Sequence, residues 1–483
     1  MISSWIAFAA WVPISLIFFR RYPLRVAILA NFLAGRGLLP SAAFVPTTAA
    51  FPYWILGTCL PSIHFFTKAS VTSMTCVLGI LLFDRKAFGR FQLSFWDLPM
   101  LTWCAVPLLS ALANTQGLAA TALGELYQIL AWGVPYLMGR LYFNDIDSLK
   151  LAAKAFVIAG LAYVPICLIE FFTGPQFYAH LYGYQPYRWV GARRYIGFRP
   201  IGFLEDGNQL GIWMAASALI AICLWRWRLV DHILRFQIAW VSGVLFAVTL
   251  LCQSGGSIIL LLCLLPYVLV SKSYLPRAFA VVLLLGIFAA MGLRLANVVS
   301  LQTLVKQNAV ARSAAQFLRS VHRGSFGWRL SQDEKHVAKA LETPLLGSGE
   351  WDWWKPSSSR PWGLWLLVFG MYGIVGLIAL EGLQLLPVAR ALTSAAPDLD
   401  SAGSRLSRAL AAALLMSSID NLLNGSMILP LLLMIGGMSG PSFAFAASAP
   451  PTEQRLARRN WEPRGRMPSH IRQSSTVKRL NPR

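Results

Sequence analysis

The chain has 483 residues, of which 56% are hydrophobic and only 13% charged, with mean hydropathy +0.57 and formal net charge +22. That balance lies far outside the range of an ordinary water-soluble domain. Its seven cysteines form no Cys-x-x-Cys pair, which argues against a metal site or disulfide framework, and no glycine-rich loop ends in Lys-Ser or Lys-Thr, which argues against nucleotide hydrolysis.

Uninterrupted apolar runs recur along almost the whole chain. A helix needs about 17 to 25 apolar residues to cross roughly 30 Å of hydrocarbon. Inside lipid only helices or closed barrels satisfy the backbone. The expected fold is therefore all-α, a polytopic transmembrane bundle of about 12–14 spans. In chain order the spans fall near 2–19, 22–38, 64–83, 98–113, 118–138, 149–172, 205–226, 234–252, 255–271, 276–297, 361–389, 405–421 and 426–446. The first run lacks a preceding basic residue and a small-x-small cleavage site, so it reads as an anchor and not a signal peptide. The run 51–60 reads as a re-entrant or interfacial piece. This divides the chain into N-terminal transmembrane helices (1–172), a first loop (173–208), central helices (209–297), a large loop (298–360), C-terminal helices (361–446) and a tail (447–483).

Short loops carrying Arg20 and Arg21, Arg85 and Lys86, Arg226 and Arg228, or Arg390 and Arg405 fall on one side if the spans alternate from an outside N-terminus. The basic, apolar-poor tail lands on that same, cytoplasmic side, is expected to be disordered, and suits anionic membrane lipid rather than nucleic acid. The two long loops then face outward, to the periplasm of a bacterium, with short surface helices expected in them. Arg188, Arg193, Arg194 and Arg199 stand against Glu205 and Asp206 in the first, and Arg329 and Arg360 are among the cations of the second. Either this is charge that long loops tolerate, or two basic surfaces converge on an anionic ligand, for which the planar guanidinium is suited.

Trp351, Trp353, Trp354, Trp362 and Trp365 cluster just before a span, as an interfacial aromatic belt or as a stacking platform for sugar rings. Upstream, 332–341 has helical spacing, which Pro344 and the Gly347-x-Gly349 pair should end in a tight turn.

The stretch GFRPIGFLEDGNQLG (197–211), the loop motif ALETPLLGSG (340–349) and FGMYGIVGL (369–377) together resemble the O-antigen ligase and polymerase superfamily of polytopic membrane glycosyltransferases. The resemblance covers roughly residues 193–380 and implies a metal- and cofactor-independent reaction at the outer face of the bacterial inner membrane. A glycan passes from a polyprenyl diphosphate carrier to a glycan or lipid acceptor, with other polysaccharide assembly proteins as possible partners. By position, Arg199 matches the family's arginine before the turn, and Asn208 the asparagine that opens the following helix. A helix starting near 207–209 would also aim backbone N–H groups at a phosphate. Two features depart from the family. Gln253-Ser254-Gly255-Gly256 stands where a Ser-Arg-Gly type motif is usual, and Ser359-Arg360-Pro361-Trp362 where a histidine precedes the span.

The residues offered as substitutes are Glu205 and Asp206 as catalytic carboxylates, with Arg193, Arg194, Arg199, Asn208, Arg329 and Arg360 binding substrate; no metal ligand is assigned. Ion pairing with the nearby arginines is the competing reading of Glu205 and Asp206. His322 and His336 read as solvated loop histidines. Within the spans, Glu125 is expected to pair with Lys68 or Arg294, Asp420, Asn421 and Asn424 to line a cavity or hydrogen-bond between helices, and Glu170 and Lys154 to snorkel. Two other functions fit the same residues: a glycolipid transporter or flippase using Glu125 and Asp420, and a non-catalytic scaffold that binds the carrier lipid.

Overall fold

The computed structural model describes residues 1–43, 65–184, 192–194, 196–269, 275–296, 307–309, 312–313, 316, 325–357, 359–393 and 401–440. The expectations for 51–60, for His322 and for the tail lie outside the described residues.

Sixteen helices are described: α1 (Ser4–Arg21), α2 (Leu24–Leu38), α3 (Lys68–Phe83), α4 (Leu98–Ala113), α5 (Leu118–Gln128), α6 (Val134–Tyr142), α7 (Ile146–Thr173), α8 (Phe177–Tyr182), α9 (Gly207–Arg226), α10 (Ile238–Leu251), α11 (Gly255–Leu269), α12 (Leu275–Leu295), α13 (Ser325–Ala340), α14 (Leu364–Thr393), α15 (Ala402–Asn421) and α16 (Leu431–Ser439). Two antiparallel hairpins interrupt them, β1 (Arg193–Arg194) with β2 (Gly197–Phe198), and β3 (His232–Ile233) with β4 (Phe236–Gln237).

Helix α9 is the core of the bundle. Its run of Leu, Ile, Trp, Met and Ala is buried on nearly every side, between α7, α10, α11 and α15. A helix apolar all round needs neighbours all round, and α9 has them. Rim helices instead turn large apolar side chains outward, among them Trp5, Ile6 and Ile17 of α1, Trp240 of α10, and Val282 and Leu285 of α12. Exposed apolar area on that scale marks a surface that meets lipid or protein.

Among the described residues four helices are long and apolar enough to cross a membrane: Phe95–Ala113, Ile146–Thr173, Gly207–Arg226 and Leu364–Leu392. Four further apolar helices among them are shorter. Not every apolar run is a single helix. The run at 118–138 is α5 and α6 joined by a π-helical turn at Ile129–Gly133. Helix α14 breaks at Gly373, whose φ of 64° is left-handed and whose Cβ, if present, would overlap the Leu345 carbonyl. The helix is kinked there. Leu364 N donates to Asn424 O (3.2 Å) while Gln384 pairs with Asn421 (2.9 Å), although a straight helix would hold Leu364 and Gln384 about 30 Å apart.

In the large loop the helix starts earlier than expected, at Ser325, so Arg329 lies within α13. The expected turn is present: Gly347 and Gly349 have positive φ, and Gly349 N donates to Met371 O (2.9 Å). The cysteines described are free, and Cys76, Cys167, Cys223 and Cys252 are buried.

Candidate functional site

The turn from Arg199 to Asp206 is positioned by a carboxylate that sequence reasoning treated as a snorkelling group. Glu170, fully buried near the end of α7, accepts from four backbone amides, Gln176 (3.1 Å), Phe177 (3.2 Å), Ile201 (2.8 Å) and Gly202 (2.7 Å). It therefore ties the start of α8 to the stretch after Pro200. Gly202 has φ +60°, and a Cβ there would lie 2.8 Å from the Tyr163 ring.

From this turn three neighbouring side chains diverge. Glu205 points into the bundle and meets Lys68 Nζ at 2.7 Å, with side chains 0% and 7% exposed. Burial pushes its pKa up, but the Lys68 ammonium and Arg36 guanidinium outweigh that and hold the carboxyl below the usual glutamate value. Glu205 thus pairs with Lys68, not with Arg193, Arg194 or Arg199, and solvent does not reach it. Asp206 is the N-cap of α9: its Oδ1 accepts from Asn208 N (2.6 Å) and Gln209 N (2.8 Å). Two of the amides expected to face a phosphate are therefore taken by the chain itself. Arg199, nearly buried over Gly207, donates from Nη2 to Asn208 Oδ1 (2.6 Å).

The second loop arrives at the same end of α9. Asp206 and Arg329 both lie within electrostatic reach of Asp420, at the end of α15. Asn424 Nδ2 donates to Asp420 Oδ1 (2.7 Å), and Arg329 Nη1 donates to Asn424 Oδ1. Arg199 with Asn208 and Asp206, and Arg329 with Asn424 and Asp420, thus form two hydrogen-bonded groups whose carboxylates, Asp206 and Asp420, lie close enough to repel. Ser254 packs against the first turns of α9, since a Cβ on Gly211 would collide with it.

Helix α13 lies along the segment that leads into α14. Arg329 stands over the Trp362 ring at 5.0 Å and Arg360 over it at 3.8 Å, while Trp328, half exposed, meets Trp362 edge-on at 5.2 Å. One turn on, buried Asp333 accepts from Trp362 N (2.6 Å) and pairs with Arg294 (3.1 Å). Burial pushes the Asp333 carboxyl up, opposed by Arg294 and by the Trp362 and Gly363 amides. Next along the helix, His336 packs edge-on against Trp353 and its Nε2 bonds Ser359 Oγ (3.1 Å). It is buried, not solvated, and burial together with Lys335 and Lys339 lowers its pKa. A histidine of α13 thus contacts Ser359, in the segment that leads into α14.

Of the expected site residues, Arg199, Asn208, Asp206, Arg329 and Arg360 come together. Arg193 and Arg194 lie on an exposed hairpin strand, and Glu205 faces the interior. Lys68 and Arg294 pair with Glu205 and Asp333, not with Glu125, which accepts from Leu108 N (3.3 Å). The tryptophans divide: Trp353, Trp354 and Trp365 are core residues, whereas Trp351 and Trp362 remain partly exposed. Among the described residues no group of three or more His, Cys, Asp or Glu is placed to hold a metal ion. No protein-family model matches this chain, and no curated protein matches it.

Proposed function

We propose that this chain is a membrane glycosyltransferase of the O-antigen ligase and polymerase kind, with about 12–14 spans, in a bacterial inner membrane. On this reading its two arginine-bearing loops face the periplasm and its C-terminus the cytoplasm. The substrate is a glycan on a polyprenyl diphosphate, passed to a glycan or lipid acceptor during surface polysaccharide assembly. The observation that supports the reading is that the group of Arg199, Asn208 and Asp206 lies within electrostatic range of Asp420, whose neighbour Asn424 holds Arg329, while Arg360 shares the Trp362 ring with Arg329.

In such a transfer the acceptor oxygen bonds to the anomeric carbon while the bond from that carbon to the diphosphate oxygen breaks. The departing diphosphate gains charge, which Arg199, Arg329 and Arg360 would stabilise by charge-assisted hydrogen bonds. The acceptor proton goes to a base. Asp206 is the better placed of the two expected carboxylates, because Oδ1 caps α9 and Oδ2 has no hydrogen bond among the described residues. Glu205, sealed against Lys68, serves as a structural ion-pair partner. Trp328, half exposed, offers an indole face to a sugar ring.

The test is glycan transfer from a polyprenyl diphosphate donor in membranes holding the full-length chain. Arg199→Ala should lower transfer roughly 100-fold or more with the protein inserted at normal level. Asp206→Asn keeps an N-cap side chain but cannot accept the proton, so transfer should be lost while thermal stability is kept. Wild-type transfer by either variant would overturn its assigned role.

A second reading, transport of a glycolipid or small anion, is favoured by Glu381. Its carboxyl is buried in α14 with no hydrogen-bond partner among the described residues. Ionisable groups inside apolar helix bundles often mark ion or proton paths. A proteoliposome flux that Glu381→Gln abolishes, without any glycan transfer, would favour it.

A further inference from the structure

Helices α2 and α7 are fastened to each other at both ends and stand apart in between. At one end Arg25 pairs with Asp145 (2.8 Å), and at the other the Tyr163 hydroxyl donates to the Gly37 carbonyl. Between these two staples the facing residues are small, Ala30 and Ala34 on α2 and Ala155 and Ala159 on α7, so an apolar groove is left open. Tyr163 and Trp213, with ring centroids 5.1 Å apart, lie along it toward the Gly37 end. The α2 wall runs from Val26 to Leu38 and the α7 wall from Leu151 to Ile166, about 18 and 22 Å at the helical rise. One leaflet of hydrocarbon is roughly 15 Å deep, so the groove is long enough for one acyl chain.

The other end of the groove has a different chemistry. Trp213, near the start of α9, lies by Tyr163, so the end of α9 and the β3–β4 hairpin that follows it lie toward Lys154. There Lys154 lines the groove with no hydrogen bond or ion pair among the described residues, beside His232 and Leu234 of the hairpin. A second hollow shares His232 and is lined by Arg226, Arg228 and Asp231. Across the two, three full cations meet one carboxylate among the described residues. The hairpin also exposes Leu234 and Phe236 beside Arg235, and Trp240 follows. That mixture of apolar, aromatic and basic side chains suits the level where hydrocarbon gives way to headgroups.

We infer that this groove binds one anionic glycerophospholipid, its acyl chain laid along α2 and α7 and its phosphate at Lys154, with His232, Arg226 and Arg228 beside it. Such a lipid supplies in one molecule the chain that fills the groove and the negative charge that complements its basic end. An apolar helix from a second copy would cover the walls but leave the Lys154 ammonium buried without a counter-charge. The inference requires that α2 and α7 meet lipid, and it is independent of the transferase reading.

The full chain in a neutral detergent tests it without any variant. Native mass spectrometry should show a retained phosphatidylglycerol, and the melting temperature should rise saturably with phosphatidylglycerol but not with phosphatidylcholine. Phosphatidylglycerol carrying a diazirine on its acyl chain should cross-link to α2 and α7. Lys154→Gln should raise the half-saturating lipid concentration about fivefold, and Ala159→Phe, which fills the groove, should remove both the retained lipid and the cross-link. Equal stabilisation by the two lipids, or cross-links spread over all the rim helices, would overturn the proposal. A lipid-free dimer would give the groove to a second copy, and displacement of the label by polyprenyl phosphate in preference to phosphatidylglycerol would give it to a carrier chain; either result also overturns it.

Discussion

Two arginine clusters in this molecule use the same chemistry and do opposite things. Arg36, with Lys68, is packed inside the bundle against Glu205. Arg329 and Arg360 both stand over the Trp362 ring, partly exposed, next to the exposed Trp328. Burial is what separates them. In the interior a charge must be matched at once, so the first cluster is part of the fold, whereas the second keeps donors at a surface where an anionic ligand could meet them.

That comparison can be broken at its strongest point first. Lys68→Met leaves Glu205 buried opposite Arg36 alone and should destabilise the protein by roughly 3–5 kcal/mol, seen as a large fall in melting temperature; a change under about 1 kcal/mol would mean that the pair behaves as a surface one. The effect at His336 is smaller and depends on pH. Its folded pKa is lowered below the ordinary 6.5, so as pH falls from about 6.5 the unfolded chain takes up the proton first, and stability drops until the lower folded value is passed. Melting curves between about pH 5 and 7.5 should show that loss in the wild type and a flatter profile in His336→Gln; parallel profiles would place the imidazole in solvent. The smallest stability effect belongs to Arg360→Ala. Losing one cation–π contact should cost about 0.5–1 kcal/mol but weaken retention of a polyprenyl diphosphate in a binding assay. Equal retention would remove Arg360 from the site.

Much of the candidate site was legible because its residues sit in one short stretch or beside it. The Arg199-to-Asn208 segment announced a charged helix start, and the structure begins α9 at Gly207 with Asp206 as cap. Arg329 and Arg360 were offered as substitutes for the arginine missing from the Gln253–Gly256 motif, and α13 brings Arg329 to the indole that Arg360 also meets. Glu170 was missed because a single acid at a helix end looks the same whether it snorkels or collects amides; only the return of the chain at Ile201 and Gly202 distinguishes the two. His336 was misread for a similar reason, since Trp353 and Ser359 bury it only after α13 packs on the next segment.

By itself the sequence determined the helical, apolar character of the chain, because covering a backbone in apolar surroundings leaves helices as the main solution for runs of this length. It also determined where α9 starts, through a local capping interaction. Tertiary structure decided the rest. Which charge meets which partner, that α14 is kinked at Gly373, and that Glu205 faces inward while its neighbours Arg199 and Asp206 gather at the helix mouth depend on segments far apart in the chain, and local residue patterns do not encode long-range pairing.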